Sequence, residues 1–386
     1  MLKAKYIINK LKEHNIVFFT WVPDSSLKDL IAYITDNIDN RKHIITANEW
    51  NAIWLASWYY LSTWKIPCVY MQNSWLWNAI NPITSLADEK VYNIPMLLFI
   101  WRRWEPWKKD EPQHIKQWEI TIPLLNVLWI RNEILSDDIN IANNQIEEAI
   151  KYIEKTKKLF AFVVKKWTFE KYELQNKLKN DFKLSREEAL KILIDNIEDN
   201  SVIISTTWKL SRELFEYREE KKQWHEKDFL TIWSMGHASQ IALWVALNTT
   251  KRTYCLDGDG SVIMHMWWLS TIWSLKPKNF VHIMFNNWAH QSVWWQPTVA
   301  YKLNFKKIVE WMWYSYYFQA KTENEIKKVL WNIKKLNWPI FIELFVNQND
   351  RKDLWRPTIT PIENKINFMN YLKKNEKKHI INSRAS

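Results

Sequence analysis

Tryptophan stands in this chain where a fold needs glycine. The 386 residues contain 28 Trp and 3 Gly, whereas soluble chains average about 7% glycine, which here would be roughly 27. Glycine alone takes left-handed dihedrals freely, so a chain this poor in it has few ways to turn. The tryptophans sit among turn formers, as in Thr20-Trp21-Val22-Pro23-Asp24-Ser25, Asn73-Ser74-Trp75-Leu76-Trp77-Asn78, Asn337-Trp338-Pro339 and Asp353-Leu354-Trp355-Arg356-Pro357. An indole forced into a tight turn costs about 1–3 kcal/mol, and two dozen such sites exceed the roughly 5–15 kcal/mol that holds a domain together. Some bacterial lineages read the codon UGA as glycine, whereas a common alternative translation table reads it as tryptophan. Most of these tryptophans are therefore expected to be UGA codons that the cell reads as glycine. Gly236, Gly258 and Gly260 are then the three encoded by ordinary glycine codons.

The rest of the composition is that of a folded protein, since 47% hydrophobic and 25% charged residues exclude a disordered or collagen-like chain. Its length suggests two domains. No apolar run is long enough to span a bilayer, and Met1 to Asn9 lacks the apolar core of a signal peptide. A cytoplasmic protein without a membrane partner is expected. The net charge of +12 accompanies an abundance of Lys, Ile and Asn that reflects an AT-rich gene, and carries little functional weight. A basic nucleic-acid binder with Trp stacked on bases is the rival from another class. It loses its aromatics if the tryptophans are glycines, and the lysines are dispersed with no recognition-helix or zinc-finger pattern, so no nucleic-acid partner is expected. Cys68 and Cys255 each lie in an apolar, strand-like run and read as buried thiols rather than a disulfide or a nucleophile.

Two α/β halves follow from the alternation of short apolar runs with helical periodicity. In the first, strands are expected at Ile16–Thr20, His43–Ala47, Cys68–Gln72, Pro95–Ile100 and Leu159–Val164, with helices at Leu2–Glu13, Ser25–Asp36, Glu49–Leu61 and Asn144–Lys155. In the second, strands are expected at Ser201–Ser205, Phe229–Ile232, Thr253–Leu256, Phe280–Phe285 and Pro339–Val346. Helices at Ser185–Ile197, Lys209–Tyr217, Ala238–Leu247, Met264–Leu275 and Glu323–Leu336 separate them. Such alternation argues for parallel sheets covered on both faces. The expected boundaries are a first domain 1–167, a linker 168–184, a second domain 185–361 and a basic, peripheral tail 362–386.

The strongest chemical motif lies at the end of the Thr253–Leu256 strand, where Gly258-Asp259-Gly260-Ser261 is followed 28 residues after the aspartate by the second residue of Asn286-Asn287. Ligands of open α/β sheets bind beyond the carboxyl ends of the strands. Glycines on both sides of a carboxylate let the backbone approach a diphosphate, while Asp259 and the Asn287 amide offer hard oxygen ligands to Mg²⁺. Asp-Gly alone would be an ordinary hairpin turn, and the asparagine pair is what turns it into a cofactor motif. Trp58 to Lys65, read with glycines, imitates a P-loop, but its spacing is one residue too long and Ile66 stands where Ser or Thr must bind magnesium.

Gly258-Asp259-Gly260 through Asn287 resembles the signature of the thiamine-diphosphate enzymes. That resemblance implies Asp259, Asn287 and the backbone carbonyl of Ala289 as magnesium ligands, and Glu49, in Ala47-Asn48-Glu49-Trp50-Asn51-Ala52, as the glutamate that hydrogen-bonds the aminopyrimidine. A lone Glu at a helix start also simply favours the helix dipole; the second-half motif tips the balance. Read with glycine for tryptophan, the stretches Thr20–Ser25, Asn48–Ala52, Tyr70–Asn78, Asp110-Glu111-Pro112-Gln113-His114, Ser234-Met235-Gly236-His237-Ala238 and Leu354–Pro357 resemble the phosphonopyruvate decarboxylases. The related sulfopyruvate decarboxylases commonly divide the two domains between subunits.

The resemblance implies two tandem three-layer α/β/α domains, a pyrimidine-binding and a diphosphate-binding one, with no central third domain. It implies decarboxylation of a small anionic 2-keto acid, 3-phosphonopyruvate, with thiamine diphosphate and Mg²⁺. Cofactor contacts fall on Glu49, Asn73, Ser234, Met235, Gly236, His237, Gly258, Asp259, Gly260, Ser261 and Asn287. His114, His237 and His290 are candidates for proton transfer or substrate contact. The phosphonate wants cationic or N–H donors, for which Arg102 and Arg103 are candidates and, equally, solvated loop residues; Asp24 and Ser25 are either substrate contacts or plain helix caps. A homodimer or higher homo-oligomer with composite active sites is expected.

Overall fold

The computed structural model describes residues 1–386 except 23–26, 107–112, 233–234, 292, 294, 352 and 384–386, with backbone alone at 113 and 375–383. The chain divides into two compact units, one of residues 1–177 with 290–296 and one of residues 178–289 with 297–386.

The first unit runs α1 (Ala4–Glu13), β1 (Phe19–Trp21), α2 (Lys28–Asn37), β2 (His43–Ile45), α3 (Glu49–Thr63), β3 (Cys68–Gln72), α4 (Leu76–Pro82), β4 (Leu97–Trp101), α5 (Gln113–Val127), β5 (Arg131–Ile134), α6 (Ile139–Thr156) and β6 (Phe160–Val164). Its six strands are parallel, in the order β2-β1-β3-β4-β6-β5. Side chains alternate between the faces: Phe19, Tyr70, Phe99 and Phe162 join one core, and Val69, Met71, Leu98 and Val163 join another. Residues 165–184 form no helix or strand, yet the part belonging to this unit is held down. Phe169 and Leu174 are buried, and Asp36 accepts hydrogen bonds from the Tyr172 hydroxyl and the Gln175 and Asn176 amides.

The second unit runs α7 (Arg186–Asn196), β7 (Val202–Ser205), α8 (Lys209–Glu220), β8 (Asp228–Leu230), α9 (Ala238–Leu247), β9 (Thr253–Gly258), α10 (Asp259–Met264), α11 (Trp268–Leu275) and β10 (Phe280–Asn286). Along the chain β11 (Ala289–His290) and β12 (Gln296–Pro297) flank the segment 290–296 counted with the first unit, and the second unit then continues with α12 (Phe305–Trp311), β13 (Tyr316–Ala320), α13 (Glu323–Ile333), β14 (Ile340–Phe345) and α14 (Pro361–Ser383). The six-stranded parallel sheet has the order β13-β14-β10-β9-β7-β8. Counted along the chain, that is the strand order of the first sheet. Again each face carries its own core.

All ten expected strands are present. Of the four strands not foreseen, β11 and β12 form a short ribbon, and β5 and β13 end their six-stranded sheets at corresponding edges, where half-exposed residues give no apolar run. The expected helix Met264–Leu275 is broken at residues 265–267 into α10 and α11. The tail is not peripheral: α14 buries Phe368 and Tyr371 in the second core, and the buried Asn364 side chain accepts from Leu230 N and donates to Asp228 O of β8. Among the described residues no helix is long and apolar enough to cross a membrane.

Tryptophans occupy glycine's conformational territory. Among the described residues 13 non-glycine residues have positive φ, and eight of them are Trp: 64, 104, 129, 167, 208, 288, 295 and 313. Trp64 follows α3 in the left-handed conformation, where helices usually end on glycine. Its indole is 81% exposed and makes only an edge contact with Tyr60 among the ring contacts of the described residues, so little is gained from the side chain to offset the strained backbone.

Candidate active site

Both sheets place their chemistry at the carboxyl ends of the strands, beside the point where strand order reverses, which is where open α/β sheets bind ligands. In the second unit that point lies between β7 and β9. Asp259 follows β9 as the first residue of α10 and is 3% exposed. Burial pushes its carboxyl up to about 7, against the opposing pull of the Thr298 hydroxyl, which donates to Oδ2 at 2.6 Å. Thr298 also donates its backbone N–H to the Trp288 carbonyl at 3.0 Å, so one residue ties the Asn286–Ala289 loop to Asp259. The loop is closed by its own amides, with Asn287 Oδ1 accepting from Ala289 N at 3.0 Å. Asn286 donates to Glu343 at 2.6 Å.

Ser261 accepts from Gly236 N at 2.8 Å and shares a hydroxyl hydrogen bond with Thr206 at 3.1 Å. Among the described residues other than its chain neighbours, no heavy atom lies within 4 Å of the position a Cβ would take on Gly258. His237 stands at the N-cap position of α9 without a side-chain capping bond, and its imidazole is pushed down by burial, partly opposed by Asp257. Met235 is half-buried beside it, and Ser234 lies outside the described residues.

These residues fit a magnesium diphosphate. A buried carboxyl held near 7 is costly to ionise alone and gains from a divalent cation. The Asp259 carboxylate, the Asn287 amide and the Ala289 carbonyl are hard oxygen donors suited to Mg²⁺. The open space at Gly258 leaves room for a ligand to approach the backbone. A second group, Cys255, Asp257 and His282, clusters fully buried below the strand ends. Burial holds the Cys255 thiol far above its ordinary value, so no thiolate is available there. Cys68 is likewise a buried, protonated thiol.

In the first unit, Asn48 caps α3 by accepting from Asn51 N at 3.1 Å, and Glu49 follows it, 1% exposed. Asn78 of α4 donates to Glu49 Oε2 at 3.1 Å. Beyond β3, Asn73 donates to Thr121 Oγ1 at 3.0 Å and accepts from Arg103 N at 3.2 Å. Helix α5 sets His114, Gln117 and Thr121 on one face, with His114 Nδ1 2.9 Å from Gln117 Oε1 and Thr121 donating to the Gln117 carbonyl at 2.6 Å. Asn73, Arg103 and His114 therefore belong to one hydrogen-bonded chain, which the sequence motifs did not connect.

Arg102 is engaged otherwise. Its guanidinium donates to the Trp118 carbonyl at 3.1 and 3.2 Å and stacks on that indole at 3.9 Å, an anchor on α5. His290, within the segment 290–296, has its imidazole pushed down to about 4 by burial. Asp24 and Ser25 lie outside the described residues. Sequence reasoning missed Asn78, Thr121 and Thr298; a polar residue one helical turn into a motif was the available signal for Asn78, and Thr298 had none.

Two family profiles match. "Thiamine pyrophosphate enzyme, N-terminal TPP binding domain" covers residues 1–122, and "Thiamine pyrophosphate enzyme, C-terminal TPP binding domain" covers residues 209–344. The phosphonopyruvate decarboxylase of Streptomyces viridochromogenes is 24% identical over 378 residues, 94% of this chain and 93% of that protein. The phosphonopyruvate decarboxylase of Streptomyces hygroscopicus is 24% identical over 94% of this chain and 92% of its own length. The sulfopyruvate decarboxylase subunit beta of Methanocaldococcus jannaschii is 34% identical over 113 residues, 29% of this chain and 57% of that subunit.

Proposed function

The chain belongs to the thiamine-diphosphate enzymes, and from that premise we propose that it decarboxylates 3-phosphonopyruvate to phosphonoacetaldehyde and carbon dioxide. The observation that carries this is a single chain holding both half-sites, similar nearly end to end to two phosphonopyruvate decarboxylases.

When bound, thiamine diphosphate supplies an electron sink for the pair left behind as carbon dioxide departs. The chain's own residues bind and orient. Asp259, Asn287 and the Ala289 carbonyl hold the magnesium that neutralises the diphosphate, with Thr298 fixing Asp259 against the loop. Gly258, Gly260, Ser261 and Gly236 give the diphosphate close access to backbone, and Ser234, Met235 and Asn73 complete the cofactor contacts. Glu49 would share a proton with the ring nitrogen of the aminopyrimidine, favouring its imino tautomer, and Asn78 keeps the Glu49 carboxyl aimed. His114, carried by the Gln117–Thr121–Asn73 chain, stands for proton transfer, with His237 and His290 as further acid–base candidates. Arg103 remains the candidate cation for the phosphonate, together with Asp24 and Ser25 as further pocket residues.

The chain is proposed to act in the cytoplasm as a homodimer or larger homo-oligomer, its pyrimidine-binding half working with the diphosphate-binding half of another copy. The domain limits proposed remain 1–167 and 185–361, joined by 168–184. Relatives named as alpha and beta subunits support such assembly.

A sulfopyruvate substrate is the second reading, favoured by the higher identity to the beta subunit over its shorter span. Carbon dioxide release from phosphonopyruvate, sulfopyruvate and pyruvate, measured side by side with cofactor and Mg²⁺, tests the choice. Turnover of sulfopyruvate without phosphonopyruvate would overturn the first.

A further inference from the structure

His265 belongs to none of the motifs that identify the cofactor site, yet the fold brings it there. It follows α10, and its imidazole packs on that of His237 with ring centroids 4.3 Å apart and planes tilted by 34°. A Cβ on Gly236 would lie 2.6 Å from His265 Cδ2. Gly236 has φ +84°, a conformation that favours glycine, so ring and backbone interlock on two counts. The same Gly236 donates to Ser261.

The pair is polar, half-buried and incompletely satisfied. Among the described residues His265 Nε2 is buried without a hydrogen-bond partner. Burial and then the neighbouring His237 hold the His265 imidazole down to about 4. Two stacked imidazoles repel when protonated, and a buried nitrogen without a partner is unfavourable. An anionic oxygen at the pair would satisfy the orphaned nitrogen by accepting an imidazole N–H, and would favour the protonated ring that the pair otherwise disfavours. With glycine at 268, the indole now centred 6.3 Å from His237 would give way to open space beside the pair.

We infer that His237 and His265 form an oxyanion-binding couple for a phosphoryl or phosphonyl group at the strand ends of the second unit. This rests on the proposed function for its two sources of ligand, the diphosphate of the cofactor and the phosphonate of the substrate. His265 is the new member, and it binds the anion directly.

The test uses the full-length chain with saturating Mg²⁺. Kd for thiamine diphosphate is read by quenching of intrinsic fluorescence. Kd for phosphonoacetate, a phosphonate with no keto group, is read by calorimetry on the cofactor-loaded chain. In both His265→Asn and His265→Phe, a rise of about tenfold or more in the first constant alone supports the diphosphate as ligand. The same rise in the second alone supports the substrate's phosphonate, and a rise in both supports a site shared by the two. Phe keeps a ring stacked on His237, so a merely structural role predicts a Phe variant near wild type and an Asn variant that is impaired. That pattern, or both constants within twofold of wild type in both variants, overturns the inference. Neither constant needs turnover, so a wild-type chain that releases no carbon dioxide defeats the proposed function while the couple is still judged by binding.

Discussion

The side-chain nitrogen of Asn78 donates to Oε2 of Glu49 across 3.1 Å, joining the first turn of α4 to the first turn of α3. Glu49 is 1% exposed, so this bond aims a carboxylate that cannot reorient through water. Replacing Glu49 by Gln keeps the shape and removes the charge. Carbon dioxide release at saturating cofactor is expected to fall by about 100-fold or more, the scale of a lost acid–base group. Asn78→Ala should fall less, since it loosens the carboxylate without removing it. Wild-type turnover in Glu49→Gln would end the role assigned to this residue.

Thr298→Val deletes the hydroxyl that donates to Asp259 and keeps the side-chain volume. Partners of metal ligands typically contribute about 10–100-fold in metal affinity. Magnesium titration of cofactor binding should shift by that amount in the variant, and an unmoved titration would remove Thr298 from the site.

Protein made in its native cell should weigh less than its 47.1 kDa. Each glycine in place of tryptophan removes about 129 Da while granting the positive φ that glycine tolerates. An intact mass matching 28 tryptophans would reject the recoding outright.

In protein made with tryptophan throughout, Trp64→Gly and Trp129→Gly should each raise stability by about 1 kcal/mol, because a left-handed residue with a Cβ costs about that much. Both indoles are largely exposed, so little packing is lost. Chemical denaturation of the single variants reads the gain, and a net loss in both would show that the indoles are holding the fold.

His43 is buried in the first unit and its imidazole is pushed down to about 3, against about 6.5 in an unfolded chain. The unfolded state therefore binds the extra proton first. The stability from this group is whole above the unfolded value and is lost as pH falls toward the folded one, at about 1.4 kcal/mol per pH unit. His265 and His290, both pushed down to about 4, act in the same direction. Urea midpoints should drop between pH 7 and pH 5, and His43→Gln should flatten the drop. An equal slope in wild type and variant would contradict the assignment.

Central strands were legible because a parallel strand covered on both faces must be apolar throughout, as Cys68–Gln72 and Phe280–Asn286 are. The edge strands β5 and β13 were not, since one side of each pairs with nothing and their residues stay half-exposed. The Asp259–Asn287 motif was readable because a linear spacing preserves it, whereas Glu49 stood out only through the family resemblance. Thr298 and His265 were not legible, because each reaches the site through tertiary packing that no spacing encodes. The anchoring of Arg102 on the Trp118 carbonyl was not legible for the same reason.

Asn364 offers Oδ1 to Leu230 N and Nδ2 to Asp228 O, so one amide side chain imitates a rung of the strand that β8 lacks. β8 is the last strand of its sheet, and a bare edge is a template for other chains. The C-terminal helix thus works as a guard on solubility. A chain cut before Pro361 would keep every residue named for catalysis and still be expected to aggregate, edge to edge, before it could be assayed.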